Sequence, residues 1–208
     1  MKPILFYDTE TNGLPLWNES SGHRGQPHIT QLAAELFDAD SGRTLAFMDL
    51  LIHPEGWVIP NDLEQLTGIT NELAQRFGHP MDEALKTFML MWCESDLRVA
   101  HNESFDQRMV RIEAFRTLGD RHGFHDDWAN GHVFCTQANS VNILNLPPTE
   151  RMLRAGRNHP KSPNLGEAYE FFTGKKLEGA HNAAVDLNAC KTVYFGILEH
   201  RAKAAACA

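Results

Sequence analysis

The chain has 208 residues, 42% apolar and 22% charged, a size and balance suited to one globular domain with a full core. Its net charge of −8 argues against broad electrostatic attraction to nucleic acid, but leaves room for a local site where metal ions supply positive charge. No apolar stretch is long enough for a bilayer, the first residues lack a signal-peptide core, and Cys93, Cys135, Cys190 and Cys207 show no Cys-x-x-Cys spacing. A cytoplasmic protein with reduced thiols and no membrane partner is therefore expected.

The first strand is expected over 4–7, an apolar run that ends in Asp8, Thr9 and Glu10, with the turn signal Asn12-Gly13 close behind. Strand side chains alternate, so Asp8 and Glu10 point the same way. Two carboxylates aimed together repel unless a cation sits between them, and hard divalent ions such as Mg²⁺ take such oxygen ligands. A strand end capped by two ordinary acids explains the pair equally well. Residues 15–27, rich in Gly, Ser, Asn and His, read either as a long loop beside this motif or as a disordered insertion. Residues 28–37 and 44–52 read as strands joined by the 38–42 turn, a hairpin continuing antiparallel from the first strand.

Helices follow. Asn61 and Glu64 have cap spacing, Thr70 can cap a second helix, and Pro80 opens a longer one to about Trp92. A short strand is expected at 97–100. Ser104 and Gln107 have the spacing of a capping box, so a helix is expected from Ser104 to about Leu118. Residues 119–130 read as a polar loop, 133–136 as the last strand and 147–163 as irregular. That last stretch carries Arg151, Arg154, Arg157 and Lys161, which suit either phosphate contacts or a solvated charge run. Asn164 opens a further helix, closed by Gly174. The final helix is expected over 182–201, with Ala183, Leu187, Cys190, Val193, Tyr194, Ile197 and Leu198 in its buried stripe. Residues 202–208 are expected to be a frayed or disordered tail, leaving one domain over 1–201.

Two later acids stand out by position. Asp106 falls in the first turn of a helix directly after a strand, and Asp186 falls near the start of the last helix, five residues after His181. Strand-to-helix junctions bring side chains to a sheet edge, where sites in α/β proteins form. Each acid alone also has a plain explanation, because the helix dipole favours a carboxylate in the first turn. Among eleven histidines, His122, His125 and His132 lack cysteine partners at ligand spacing and read as surface residues, and His101 reads as packing support for Asn102.

Taken together, Asp8-x-Glu10, His101-Asn102-x-x-Phe105-Asp106 and His181-x-x-x-x-Asp186 occur in a telling order. The pattern resembles the proofreading-type 3′→5′ exonucleases of the DnaQ-like family, in the branch marked by four acids and a histidine, over about 4–198. The resemblance implies an α/β, RNase H-like fold, a mixed five-stranded sheet flanked by helices. It implies that Asp8, Glu10, Asp106 and Asp186 hold two divalent ions, Mg²⁺ or Mn²⁺, and that His181 is the general base. It also implies that Thr11, Asn12, Gly13, Leu14, Asn102 and Phe105 hold the terminal nucleotide. The implied activity is hydrolysis at the 3′ end of single-stranded or frayed DNA, releasing nucleoside 5′-monophosphates. Single-stranded DNA is then the partner, with a DNA polymerase or repair complex as a further one. An exoribonuclease of the same family fits the same residues, and a non-catalytic subunit that binds nucleic acid or a polymerase stays open. The chain departs from the family pattern at Asn12, where many members carry Thr or Ser, and in the 15–27 insertion. Both departures bear on nucleotide contacts rather than on the chemistry.

Overall fold

The computed structural model describes residues 3–119 and 123–207. Five strands form one mixed sheet in the order β3-β2-β1-β4-β5. β1 (Ile4–Thr11), β2 (Ile29–Asp38) and β3 (Arg43–Leu51) run antiparallel, as expected. β4 (Leu97–Ala100) pairs parallel with β1, and β5 (Val133–Cys135) parallel with β4. The helices are α1 (Asn61–Thr67), α2 (Asn71–Phe77), α3 (Met81–Cys93), α4 (Glu103–Leu118), α5 (Phe124–Asn130), α6 (Thr136–Leu144), α7 (Glu150–Arg154), α8 (Leu165–Thr173) and α9 (Ala183–Ala206).

Alternation along β1 divides the core into two layers. Leu5 and Tyr7 pack with Leu32, Phe88, Met109, Val110 and Trp128 on the α3–α4 side. Ile4 and Phe6 pack with Ala33, Val99, Leu187, Cys190 and Tyr194 on the α9 side. Asp8 and Glu10 share the parity of Ile4 and Phe6, so they project toward α9. β1 also outlasts its parallel neighbour. Its pairing with β4 stops at Phe6–Val99, whereas its pairing with β2 continues to Thr11. The edge of β1 beyond Phe6 is thus left for the start of α4. On the α9 side, α8 lies close because Gly196 has no side chain; a Cβ there would stand 2.7 Å from the Phe172 ring.

A buried ion pair fixes where α4 begins. Arg98 on β4 donates through Nε to Glu103 Oε1 at 2.8 Å, and the Tyr7 hydroxyl donates to the same oxygen at 3.0 Å. The guanidinium also donates to the Trp128 carbonyl and lies 3.9 Å from that indole's centroid, so its charge is met on several sides. Glu103 is the first residue of α4 and stands three before Asp106.

Local signals misplaced several helix starts. Asn61 lies inside α1, whose N-cap is Pro60 with no side-chain cap, and Glu64 accepts from Asn71 instead. α4 starts at Glu103 rather than Ser104, because Asn102 takes a left-handed φ of +62° and turns β4 straight into the helix. α5 replaces part of the polar loop expected at 119–130, since Phe124 and Trp128 bury themselves against Trp92. Residues 120–122, His122 among them, lie outside the described residues. His125 is not on the surface: its ring stacks 3.8 Å from Phe115, and its Nε2 meets the Gly119 carbonyl at 2.7 Å. The short helix α7 interrupts the irregular stretch at 147–163. The tail expected to fray from Ala202 instead continues α9 to Ala206, in keeping with the helix propensity of alanine and lysine.

Removing one partner of the buried pair strands the other charge. Glu103→Ala should cost about 3–5 kcal/mol, read as a lowered urea midpoint. Arg98→Met combined with Glu103→Leu should cost far less than the single change, because no charge is left behind.

Candidate active site

The end of β1 serves both layers. Thr9 faces α4, while Asp8 and Glu10 face α9. With β4 pairing already ended, the Thr9 N–H donates to Asp106 Oδ1 at 3.0 Å, and the Thr9 hydroxyl donates to the same oxygen at 2.7 Å. Asp106 is buried, so these two bonds, rather than the helix dipole alone, hold it at the strand edge.

The start of α9 supplies the rest. Asn182 caps the helix by accepting from the Val185 N–H at 3.3 Å. His181 precedes it at a left-handed φ of +67°, and its N–H donates to Asp186 Oδ2 at 3.0 Å. A Cβ in that region of backbone costs about 1–2 kcal/mol, and such strain gathers at functional sites. The other Asp186 oxygen is buried and, among the described residues, has no hydrogen-bond partner. Glu10, His181 and Asp186 each present a donor atom within 4.8 Å of the others.

Burial raises the proton affinity of all four acids, and neighbouring acids add to it at Asp8 and Glu10. Burial pushes Asp8 well above its ordinary 3.8, and Asp106, Asp186 and Glu10 push it further, in that order. Burial lifts Glu10 from 4.5 to about 7, with Asp186 adding to the rise. Burial takes Asp106 from 3.8 to about 8, against the pull of the Thr9 bonds. Asp186 is also raised by burial, against the hydrogen bond from His181. The four acids therefore share one neighbourhood. Their oxygens are hard ligands, their combined charge matches two divalent ions, and Asp186 offers an oxygen without a hydrogen-bond partner among the described residues. The residues present fit such ions.

The other expected site residues divide. Asn102 is exposed at the mouth of α4, and Phe105 is half-buried against the first core layer. The Thr11 hydroxyl donates to the Gly13 carbonyl at 2.8 Å, and Leu14 points to solvent. Asn12 is committed to the chain itself. Its N–H donates to His28 O at 3.0 Å, its Oδ1 accepts from His28 N at 2.7 Å, and its Nδ2 donates to Val58 O at 3.1 Å. His101 does not brace Asn102. It meets Thr136 Oγ1 at 2.9 Å and Pro163 O at 3.2 Å, and burial lowers it to about 4, so it ties β5–α6 to the segment before α8 as a neutral ring. In the basic stretch, Arg154 pairs with Glu150 and Lys161 with Glu167.

Two contributors escape a reading of the sequence. Thr9 lies between the two acids and anchors a third. Gln31, directly across the β1–β2 register from Glu10, is the second. It is buried, accepts from the Ala183 N–H at 3.1 Å and donates to Asp49 Oδ1 at 2.6 Å. Asp49 orients the amide, and the amide fixes the first turn of α9 against the strand that faces Glu10. The one signal for it is a glutamine inside an otherwise apolar strand.

Sheet order and flanking helices define an RNase H-like fold. No family model and no curated protein matches the chain. Among solved structures, it is similar to Escherichia coli exonuclease I. The complex with a dT13 oligonucleotide matches with a TM-score of 0.69 at 18% identity, over 95% of this chain and 41% of that one. The zinc-bound complex with single-stranded DNA gives a TM-score of 0.70 at 17% identity, over 97% and 41%. The dA16 complex gives 0.70 at 17%, over the same shares. The chain thus spans 41% of the length of exonuclease I in these matches. At such identity the likeness is one of fold.

The crowded acids make metal-free stability depend on pH. Glu10 and Asp106 hold protons more tightly folded than unfolded, so their contribution is full below about pH 4 and is lost as pH rises to about 8. With EDTA present, the melting temperature should fall across that window, and Asp106→Asn should flatten the fall. Mn²⁺ added at pH 8 should restore stability, as scanning fluorimetry would read.

Gln31 yields a second test. Gln31→Leu should weaken Mn²⁺ binding, measured by calorimetry, by about 10–100-fold, the usual cost of losing a group that orients ligands. Gln31→Glu sets a carboxylate against Asp49 and should be as poor. Adding Asp49→Asn should rescue it, because the introduced amide can donate to the new carboxylate while the Ala183 N–H still does.

Proposed function

We propose that this chain is a metal-dependent 3′→5′ exonuclease that trims single-stranded or frayed DNA from its 3′ end, releasing nucleoside 5′-monophosphates. The observation that carries the reading is the convergence of Asp8, Glu10, Asp106 and Asp186 from three separate elements, with one buried Asp186 oxygen left without a partner among the described residues. A fold shared with exonuclease I, whose solved complexes hold single-stranded oligonucleotides, supports the choice of substrate.

In this reading the four acids hold two divalent ions, Mg²⁺ or Mn²⁺. When bound, the ions supply a nucleophilic water at neutral pH and absorb the charge developing on the leaving 3′ oxygen. His181, exposed beside Glu10 and Asp186, accepts the proton of the attacking water. Its backbone bond to Asp186 holds the His181 main chain beside that carboxylate. Leu14 and Phe105 offer apolar surface to the terminal nucleotide, with Thr11, Gly13 and Asn102 at its edge. Asn12 acts in this pocket through its backbone shape, since its side chain is already engaged.

Asp8→Ala and Asp186→Ala should abolish turnover while leaving the fold intact, and excess EDTA should do the same to the parent protein. His181→Ala should lower the single-turnover rate about 10²–10⁴-fold without removing metal binding, the range of a lost general base. With a 5′-labelled strand the products should shorten stepwise, and a closed circular strand should remain uncut. Activity that survives EDTA, or rapid cutting of the circle, would overturn the assignment. A matched RNA oligomer run beside the DNA decides the preferred sugar.

A further inference from the structure

The loop over 13–28 inverts the usual partition of residues. Its polar Ser21 and Gln26 are only 4% and 3% exposed, while Leu14, Leu16 and Trp17 are 78%, 42% and 57% exposed. Single exposed apolar groups are ordinary, but three within four residues form a patch of the kind that marks a binding surface. Nor is the loop loosely held. The Gln26 side chain accepts from Leu16 N at 2.9 Å and donates to Leu16 O at 3.1 Å and Ser20 O at 2.9 Å. Arg108 reaches Leu16 O at 3.4 Å and also Glu19 O, while Arg116 reaches Pro27 O at 2.8 Å and also Gln26 O. Buried Pro15 separates Leu14 from Leu16. The apolar side chains are therefore displayed by an ordered frame.

The patch joins the candidate site by two routes. Along the chain, Leu14 stands four residues past Glu10. Across the fold, Arg108 grips the loop one helical turn after Phe105, on the same face of α4, with Asp106 between them in sequence. Partial burial, and then the charge of nearby Arg111, disfavour the charge of Arg108. Among the described residues neither arginine meets a carboxylate, so two cationic side chains adjoin the loop in a chain of net charge −8.

We propose that Leu16 and Trp17, continuing from Leu14 at the terminal nucleotide, form a platform on which the bases of a single DNA strand stack as it runs 5′ from that nucleotide, with Arg108 and Arg111 attracting its phosphates. The proposal rests on the nuclease reading above. Every base has an apolar face, so such a platform tolerates any sequence.

The test separates strand binding from chemistry. Hydrolysis of p-nitrophenyl thymidine 5′-phosphate needs no strand, whereas single-turnover digestion of dT15 does. Trp17→Ala should raise the half-saturating dT15 concentration at least about fivefold, the low end for one lost base stack. Trp17→Phe should restore most of the loss, and the ester should be hydrolysed at the parent rate. Equal losses on both substrates would make the loop merely structural, and an unchanged dT15 response would dismiss the platform. If the parent hydrolyses neither substrate, the nuclease reading fails, and binding alone decides. With Ca²⁺ present, dT15 should shield the Trp17 indole from acrylamide, read as the difference between parent and Trp17→Phe. Absence of shielding overturns the proposal.

Discussion

Four carboxylates gathered around Asp8, whose proton affinity the other three raise, cannot hold themselves together; something uncharged must hold them. Here that is a set of N–H and O–H groups from their immediate neighbours. Thr9 supplies two donors to Asp106, and His181 supplies its backbone N–H to Asp186. These bonds do two things at once. They fix Asp106 and Asp186 in place, and they favour the ionised form of each against the burial that disfavours it. A salt bridge would also have positioned the acids, but its cation would have occupied the place that the proposed metal ions need. No lysine or arginine pairs with Asp8, Glu10, Asp106 or Asp186 among the described residues.

The sheet's geometry makes this possible. Because β1 outruns β4, its edge amide at Thr9 is free to reach a side chain from α4. α4 starts at the right height because Glu103 is tied to Arg98 on β4 and to Tyr7 on β1, one residue before Asp8. That buried pair places a neutralised couple directly under the acidic site. Stability and site geometry therefore share a support. Gln31 plays the matching part on the other side, linking β2 and β3 to the first turn of α9.

What could be read in the sequence followed from local periodicity and chain order. Alternation alone puts Asp8 and Glu10 on one side, and Asn164 and Asn182 cap their helices as their positions suggest. The sheet's antiparallel start was legible in the 38–42 turn. Asp106 and Asp186 could be read only as members of a three-part pattern, since either one alone passes for a dipole-favoured acid. The helix start at Asn102 was hidden because its left-handed backbone, not a side-chain cap, makes the turn. Gln31 was hidden for a different reason. Its partner amide lies 152 residues away, and no local rule reaches that far.

The two departures from the pattern that the sequence resembles, Asn12 and the 15–27 insertion, turn out to be one feature. The insertion at 15–27 needs its ends joined, and Asn12 joins them through paired bonds to His28 and a third to Val58. A threonine or serine could not do this, because it lacks the amide's separate donor and acceptor. The β1–β2 register shifts between Glu10 and Thr11, at the point where the turn begins. A shift there absorbs the geometry of whatever follows it. The acids lie before the shift and the insertion lies after it, so the loop can be long, and can carry surface of its own, without moving Asp8 or Glu10 out of register with β2.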